Sequence, residues 1–422
     1  MLFFVLTLCW SARLRAADTL TVDQCRQMAV RTSPAQQRKA VAESLAALQT
    51  DNLKSNNLPH ISVGAQATWQ SAVFGLPVES PLFKIPAVPK DQYKLTLDAS
   101  ERLWDGNSDG YMRRQHALER DLTVAQSDVD AFQVREMVTD LYFKTLLLQE
   151  SEAVLTASLD DLQRRLRQLD NMIKEGVALR STADQVRIQI LKTEQQIYAT
   201  RADKTSLLKV LAVWIGRTQP DFGLKMPDNR EVSVPAQGAG RPEYRLFELQ
   251  QRNLDLNKDM LRLRTQPRFD AFLQSGLGRP NPFNFFETGF KPFLLVGLRA
   301  AWTPIDWGNK SRETQMLELQ SKNIGIQRQA FDQRLEATNI KDREDAAKFR
   351  AQLQQDDAII TLQNDIIRRA DTQVKEGVMT ATDYLTQLEL LTQAKLTRKT
   401  HEIQAANALE MLKARDNDAN AH

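Results

Sequence analysis

The sequence predicts a mainly α-helical chain in which duplicated long helical hairpins alternate with pairs of β-strands. Three observations predict it: two long proline-free blocks, phrases that recur about 200 residues apart, and strict apolar–polar alternation where the prolines cluster.

The helical blocks come first. No proline lies between Pro89 and Pro220, and none follows Pro304. Proline in a helix interior removes a backbone donor and clashes with the preceding turn, so these blocks permit long uninterrupted helices. Glycine is equally sparse: Gly176 is the only one from Tyr111 to Ile215, and only Gly325 and Gly377 follow Gly308. The phrase Ile173-Lys174-Glu175-Gly176-Val177 is matched by Val374-Lys375-Glu376-Gly377-Val378, 201 residues on. Upstream, Leu103-Trp104-Asp105-Gly106-Asn107 is matched by Ile305-Asp306-Trp307-Gly308-Asn309, with the glycines 202 apart. Such a period is too long for a solenoid and indicates an internal duplication.

In each copy a turn at the Trp/Asp/Gly phrase starts a helix of about 65 residues, or roughly 100 Å at 1.5 Å per residue. The Lys-Glu-Gly phrase ends it, because glycine suits a helix C-terminus. Thr182 or Thr380 is placed to cap a return helix, expected over residues 183–215 and 382–414. The first tip has two more residues between its glycine and Asp184 than the second has before Asp383, so the two turns are expected to differ. Leu317, Ile324 and Phe331 are spaced by seven. Leu385, Leu388, Leu391, Ile403, Ala406 and Leu409 continue an apolar stripe opposite polar residues. One stripe per helix implies side-by-side packing, as in coiled coils.

The strands lie between these blocks. Ile61, Val63, Ala65, Ala67 and Trp69 alternate with Ser62, Gly64, Gln66, Thr68 and Gln70. Tyr93, Leu95, Leu97 and Ala99 alternate with Lys94, Thr96, Asp98 and Ser100. Phe269, Ala271, Leu273 and Leu277 form the third set, and Leu294, Val296, Leu298, Ala300 and Trp302 the fourth. Each segment is about long enough to cross an outer membrane at a tilt. Phe283, Phe285 and Phe286 in the second connecting loop would suit an interfacial belt. Taken alone, the strands fit a soluble hairpin packed on a helix equally well. Four strands cannot close a barrel, and open edges in lipid leave backbone groups unpaired. A membrane reading therefore requires oligomerisation, and three chains would supply twelve strands.

Other signals exclude more than they assign. The 56 basic and 53 acidic residues leave a net charge of +3, with no concentrated basic surface for nucleic acid. Leu2 to Trp10 form a short apolar run followed by Ala12, Ala16 and Ala17, which suits a signal peptide and is too short for a membrane helix. Cys25 lacks the apolar and small residues that precede a lipidated cysteine, and with Cys9 removed it has no disulfide partner. His60, His116, His401 and His422 are far apart, without ligand spacing. No phosphate loop, dinucleotide fingerprint or nucleophile elbow occurs, so neither an enzyme nor a cofactor is expected. The organisation read from these signals is a signal peptide over 1–17 and a first repeat over 18–216. A linker follows over 217–240, then a second repeat over 241–414 and a polar tail over 415–422.

The opening Leu20-Thr21-Val22-Asp23-Gln24-Cys25, the Trp/Asp/Gly phrases and the tip Gly377-Val378-Met379-Thr380-Ala381-Thr382-Asp383-Tyr384-Leu385 carry a family likeness. In their order, spacing and duplication they resemble the TolC-like outer-membrane factor family, over essentially the whole chain after the signal peptide. The resemblance implies a homotrimer in the outer membrane of a Gram-negative bacterium. Its fold would be a trimeric α-barrel, extending into the periplasm, plus a 12-stranded β-barrel in lipid with four strands per chain. It implies the exit duct of a tripartite efflux or type I secretion system, joined through a periplasmic adaptor to an inner-membrane transporter. The segment from 217 to 240 and the tail would form an equatorial belt.

By the same resemblance, Gly176, Val177, Leu179, Arg180 and Ser181, with Gly377, Val378 and Thr380, would meet the adaptor, besides capping and turning the chain. Asp383 matches an acidic residue of the closed aperture, where three copies would repel one another and attract cations; as a bare helix feature it is an N-terminal acid favoured by the dipole. A second acid expected three positions on is replaced by Thr386, which weakens any acidic ring. The competing reading is an exported soluble coiled-coil scaffold, which explains the helices but not four symmetrically placed alternating strands.

Overall fold

The computed structural model of the chain describes residues 18–73, 88–176, 179–227, 240–284 and 287–415. The expected signal peptide, Val177, most of the expected linker, Phe285, Phe286 and the tail beyond Arg415 lie outside the described residues.

Strand β1 (Asp18–Leu20) leads into helices α1 (Val22–Thr32) and α2 (Pro34–Ser55), then strands β2 (His60–Trp69) and β3 (Asp91–Trp104). Helices α3 (Ser108–Lys174) and α4 (Arg180–Trp214) and strand β4 (Phe222–Leu224) follow. The order then recurs as α5 (Pro242–Leu263), β5 (Arg268–Arg279), β6 (Lys291–Ala301), α6 (Asn309–Lys375) and α7 (Ala381–Arg415).

The duplication holds in element length. Helices α3 and α6 have 67 residues each, α4 and α7 have 35 each, and α2 and α5 have 22 each. Ser108 and Asn309 start the long helices, and Arg180 and Ala381 the return helices, an offset of 201 in both cases. At that offset Asp105 matches Asp306, and both cap. The Ser108 N–H donates to Asp105 Oδ1 at 3.0 Å, and the Lys310 N–H to Asp306 Oδ2 at 2.9 Å. The left-handed residues before the helices are Gly106 and Asn107 in one copy, and Trp307 and Gly308 in the other. The glycines are thus one position out of structural register, which explains their wider separation. A Cβ at Gly106 would meet the flexible end of the Gln266 side chain, which would have to shift.

The return helices begin earlier than expected. Leu179, not Thr182, stands at the N-cap of α4 and makes no side-chain cap, so Thr182 falls inside the first turn. In α7 Thr380 does cap: its Oγ1 accepts the Asp383 N–H at 3.1 Å. The two connectors have the same length, 175–179 and 376–380. The turns therefore differ in capping and not in residue count, because the two extra residues before Asp184 are taken up by helix.

The chain divides into two compact units. One, largely helical, is formed by described residues within Met1–Gln37, Gln126–Tyr244 and Ala330–His422. The other spans Arg38–Ala125 and Arg245–Gln329 and contains the large sheet. In the helical unit, Leu20, Val22, Cys25, Ala29, Val138, Tyr142, Phe143, Leu146, Leu211, Ile215, Phe222 and Leu224 form the main core. Strand β1 pairs parallel with β4 beside it. The Tyr142 hydroxyl lies 2.9 Å from the Leu20 carbonyl and 2.5 Å from the Lys225 carbonyl, and it accepts the Lys225 N–H at 3.0 Å. One buried phenol thus ties both strands to α3. Burial pushes the Cys25 thiol up to about 12, which leaves it an inert packing group.

Thr21 and Gln24 form a reciprocal capping box at the start of α1. Arg26, one turn on, is buried. Its guanidinium donates to Thr139 at 2.8 Å, to Asp23 at 2.8 Å and to the Glu410 carboxylate at 2.9 Å. Nearer the tips, Leu162, Leu169, Val186 and Leu388 pack together. There the buried Arg165 pairs with Asp371 at 2.8 Å and lies 4.7 Å from the Tyr384 ring centroid. Among the described residues, no helix is long and apolar enough to cross a membrane.

Candidate functional site

Two regions collect the residues singled out by sequence: the four-stranded sheet and the two hairpin tips. The sheet is antiparallel, in the order β2-β3-β5-β6, so that β3 and β5 join the two copies and β2 and β6 are its edges. Strand β3 runs four residues past Ser100 and bulges between Arg102 and Trp104.

The register sorts the side chains into two faces, because alternate residues of a strand point to opposite sides. Val63 pairs with Leu97, Ala65 with Leu95, Leu95 with Leu277, and Leu273 with Val296. Apart from Ser275 and the charged Asp91, Glu101 and Arg279 near its ends, this face is apolar, and among the described residues it has no cover: Val63 is 73% exposed and Leu298 is 76% exposed. A soluble hairpin packed on a helix would bury these residues, whereas here they are exposed. Aromatic residues stand at both ends of the band. Trp69, Tyr93 and Phe290 lie toward the connecting loops, with the Tyr93 and Phe290 rings 6.0 Å apart. Trp104 and Phe269, also 6.0 Å apart, lie at the helix end with Trp302. The sequence reading placed aromatics at the loop end only. The helix-end row lies outside that reading, although Phe269 opens the third alternating segment and Trp302 closes the fourth. Phe283 of the expected belt packs edge-on against Phe293 at 5.6 Å.

The opposite face is polar. Gln274 links Lys94 and Asp98: Lys94 Nζ donates to its Oε1 at 3.3 Å, and its Nε2 donates to Asp98 at 2.5 Å. The Thr96 hydroxyl donates to the same carboxylate at 2.7 Å. The Arg299 guanidinium lies 5.2 Å from the Phe272 ring centroid.

At the tips, Gly176 and Gly377 have φ of 76° and 75°, a left-handed conformation that favours glycine. No atom lies within 4 Å of a Cβ built at either, so the backbone and not crowding requires glycine. The Gly377 N–H bonds the Val374 carbonyl at 3.2 Å, and the Val378 N–H bonds that of Gln373 at 2.9 Å. Leu179 and Val378 are 73% and 75% exposed, and Arg180 and Ser181 are exposed beside Leu179. Asp383 is exposed, and its carboxylate accepts the Thr380 hydroxyl at 2.6 Å. A 2.9 Å hydrogen bond from the Thr382 hydroxyl to Gln185 Oε1 joins the first turn of α7 to the second turn of α4, so the two tips stand side by side.

No protein-family profile matches the chain, and no curated protein sequence matches it. Solved structures do. The outer membrane protein VceC of Vibrio cholerae matches with 13% identity over 93% of this chain and 95% of that one, at a TM-score of 0.65. The CmeC outer membrane channel of Campylobacter jejuni matches with 15% identity over 93% and 85%, at 0.67. The open state of the MtrE outer membrane channel of Neisseria gonorrhoeae matches with 15% identity over 93% and 88%, at 0.66. The likeness spans helices and sheet alike, and this chain shares the fold of these outer-membrane proteins.

Proposed function

We propose that the chain is one subunit of an outer-membrane efflux channel of the TolC-like family, and not an enzyme. The observation that carries this reading is the sheet: one apolar face without cover, aromatics at both ends, and two unpaired edges. In lipid each unpaired backbone group costs several kcal/mol, so only a closed barrel is stable. Pairing of β6 of one copy with β2 of the next, in a homotrimer, gives twelve strands and no edge. From Tyr93 to Trp104 the chain advances eleven residues. At about 3.3 Å each and a tilt of about 45°, that spans roughly 26 Å, the height of an outer-membrane apolar band.

The helices then form a tunnel on the periplasmic side. The tips at Gly176–Ser181 and Gly377–Thr380 dock a periplasmic adaptor, which joins the duct to an inner-membrane transporter of an efflux or type I secretion system. The exposed Leu179 and Val378 are the apolar contacts of that docking, and Asp383 narrows the closed end. The test is extraction of the full chain from outer membranes, followed by planar-bilayer recording. A detergent-stable trimer with steady single-channel conductance is expected. A monomer released without detergent and giving no conductance would leave an exported coiled-coil scaffold instead.

A further inference from the structure

We propose that the barrel section of this channel prefers anions, because the polar face of its sheet carries an excess of exposed cationic groups. The inference rests on the channel reading and adds the charge class of solute that the pore favours.

By the strand register, Lys94, Arg102, Arg268, Lys291 and Arg299 share the polar face. The carboxylates on the same face of the strands are Asp98 and Asp270. One base is already neutralised, since Arg102 pairs with Asp105 at 2.9 Å. Arg268, Lys291 and Arg299 are exposed, and among the described residues none of them has a carboxylate within ion-pair distance. The acids are placed differently. Asp98 and Asp270 are half-buried, and the Asp98 carboxylate accepts hydrogen bonds from Thr96 and Gln274. Three exposed cations and the half-buried Lys94, against two half-buried carboxylates, leave each chain about +2 on this face, tripled by closure of a trimer.

The width of the lumen decides how strongly a permeating ion feels this charge. Twelve strands at about 4.8 Å spacing and about 40° tilt close a barrel roughly 24 Å across. Side chains bring the ammonium and guanidinium groups to within about 10 Å of the axis. The Debye length is about 10 Å at 0.1 M salt and 3 Å at 1 M. The wall charge therefore reaches the axis in dilute salt and is screened from it in concentrated salt. Anion preference should accordingly grow as salt falls.

The experiment is the reversal potential of the purified full-length channel in planar bilayers under a tenfold KCl gradient, at mean concentrations near 0.1 M and 1 M. The expected wild-type result is a chloride-to-potassium permeability ratio above 1 that rises about twofold at the lower salt. Lys291→Gln with Arg299→Gln should bring the ratio toward 1. Arg268→Gln is a second, independent neutralisation should that pair disturb assembly. Asp383→Asn, which is not part of the sheet, should not bring the ratio down. Conductance with a cation preference, or a ratio unmoved by neutralising these groups at low salt, would overturn the proposal and leave the channel reading standing. Absence of conductance would overturn the channel reading and this inference with it.

Discussion

The two long helices, α3 and α6, have the same length and the same place in their repeats, yet their apolar residues meet different fates. In α3, Val138, Tyr142, Phe143, Leu146, Leu162 and Leu169 are buried, and Met137 is its one strongly exposed large apolar residue. In α6 the buried apolar positions are alanines, Ala346 and Ala370, while Ile340, Ile359, Leu362 and Ile366 stand exposed. Ile359, Leu362 and Ile366 follow i, i+3, i+7 spacing, so they form one stripe. Helix α4 shares this character through Ile188, Leu191 and Tyr198. The duplication copied the backbone and not the partners. One long helix serves the core of its own chain, and the other leaves an apolar stripe exposed. The sheet repeats the pattern, with β3 and β5 paired on both sides and β2 and β6 on one. In the proposed trimer a neighbouring copy would supply partners for the exposed stripe of α6 and for the edge strand β6.

The sharpest way to break this comparison is a matched pair of substitutions. Leu146→Ala should cost about 2–5 kcal/mol by leaving a cavity in the core of a single chain. Its helix signal should melt earlier whether or not trimers form. Leu362→Asp should leave the fold of the single chain intact and place a charge in the seam between copies. Loss of the detergent-stable trimer, with helical circular dichroism retained, is the expected result. If Leu362→Asp left the trimer intact, α6 would have no partner outside the chain and the contrast between the two helices would collapse.

A smaller effect separates the hairpins by pH. In the first hairpin Glu152 of α3 accepts from Arg201 of α4 at 2.8 Å and from Lys204. Burial alone would raise its carboxyl, but the hydrogen bonds from Lys204 and Arg201 outweigh it and hold the group below its ordinary value. A lowered folded value stabilises above the unfolded one, and the benefit is lost as pH falls through the folded value. Acid below the ordinary glutamate range should therefore loosen the α3–α4 pair. Glu152→Gln should cost about 1 kcal/mol at neutral pH. It should also flatten the loss of thermal stability on acidification. An unchanged acid profile would show that the pair contributes nothing to joining the helices.

What the sequence displays depends on the range of the interaction. Helix existence is local: missing prolines and scarce glycines mark α3, α4, α6 and α7 within a few residues of their observed ends. Strand faces are equally local, since period-two alternation assigns Val63 and Leu298 to one side before any pairing is known. Partners are not local. Arg165 meets Asp371 across 206 positions, and Arg26 meets Glu410 across 384, with no periodicity to announce either. The role of Leu179 was hidden for a related reason. Thr182 has the better capping chemistry, but the left-handed Gly176 and the five-residue connector start α4 before it. Turn geometry outranked side-chain preference there. The tip residues were legible as turn residues, while their exposure, as with Leu179 and Val378, emerged only in three dimensions.

That difference in capping gives the smallest and most local prediction. Both tips turn through a left-handed glycine and connectors of equal length, but only the second has a side-chain cap. Thr380 accepts the Asp383 N–H at 3.1 Å while its hydroxyl donates to the Asp383 carboxylate at 2.6 Å. Thr380→Ala removes both bonds and should cost about 1 kcal/mol, the usual worth of an N-cap. It should also free the Asp383 side chain. Leu179→Thr is the converse change, supplying the α4 N-cap with a hydroxyl and gaining a similar amount. Amide exchange in the first turns of α4 and α7 reads both. Faster exchange at residues 381–384 in Thr380→Ala and slower exchange at 180–183 in Leu179→Thr are expected. If Thr380→Ala leaves exchange unchanged, the glycine turn alone sets the start of α7 as it sets that of α4, and the tips are equivalent after all.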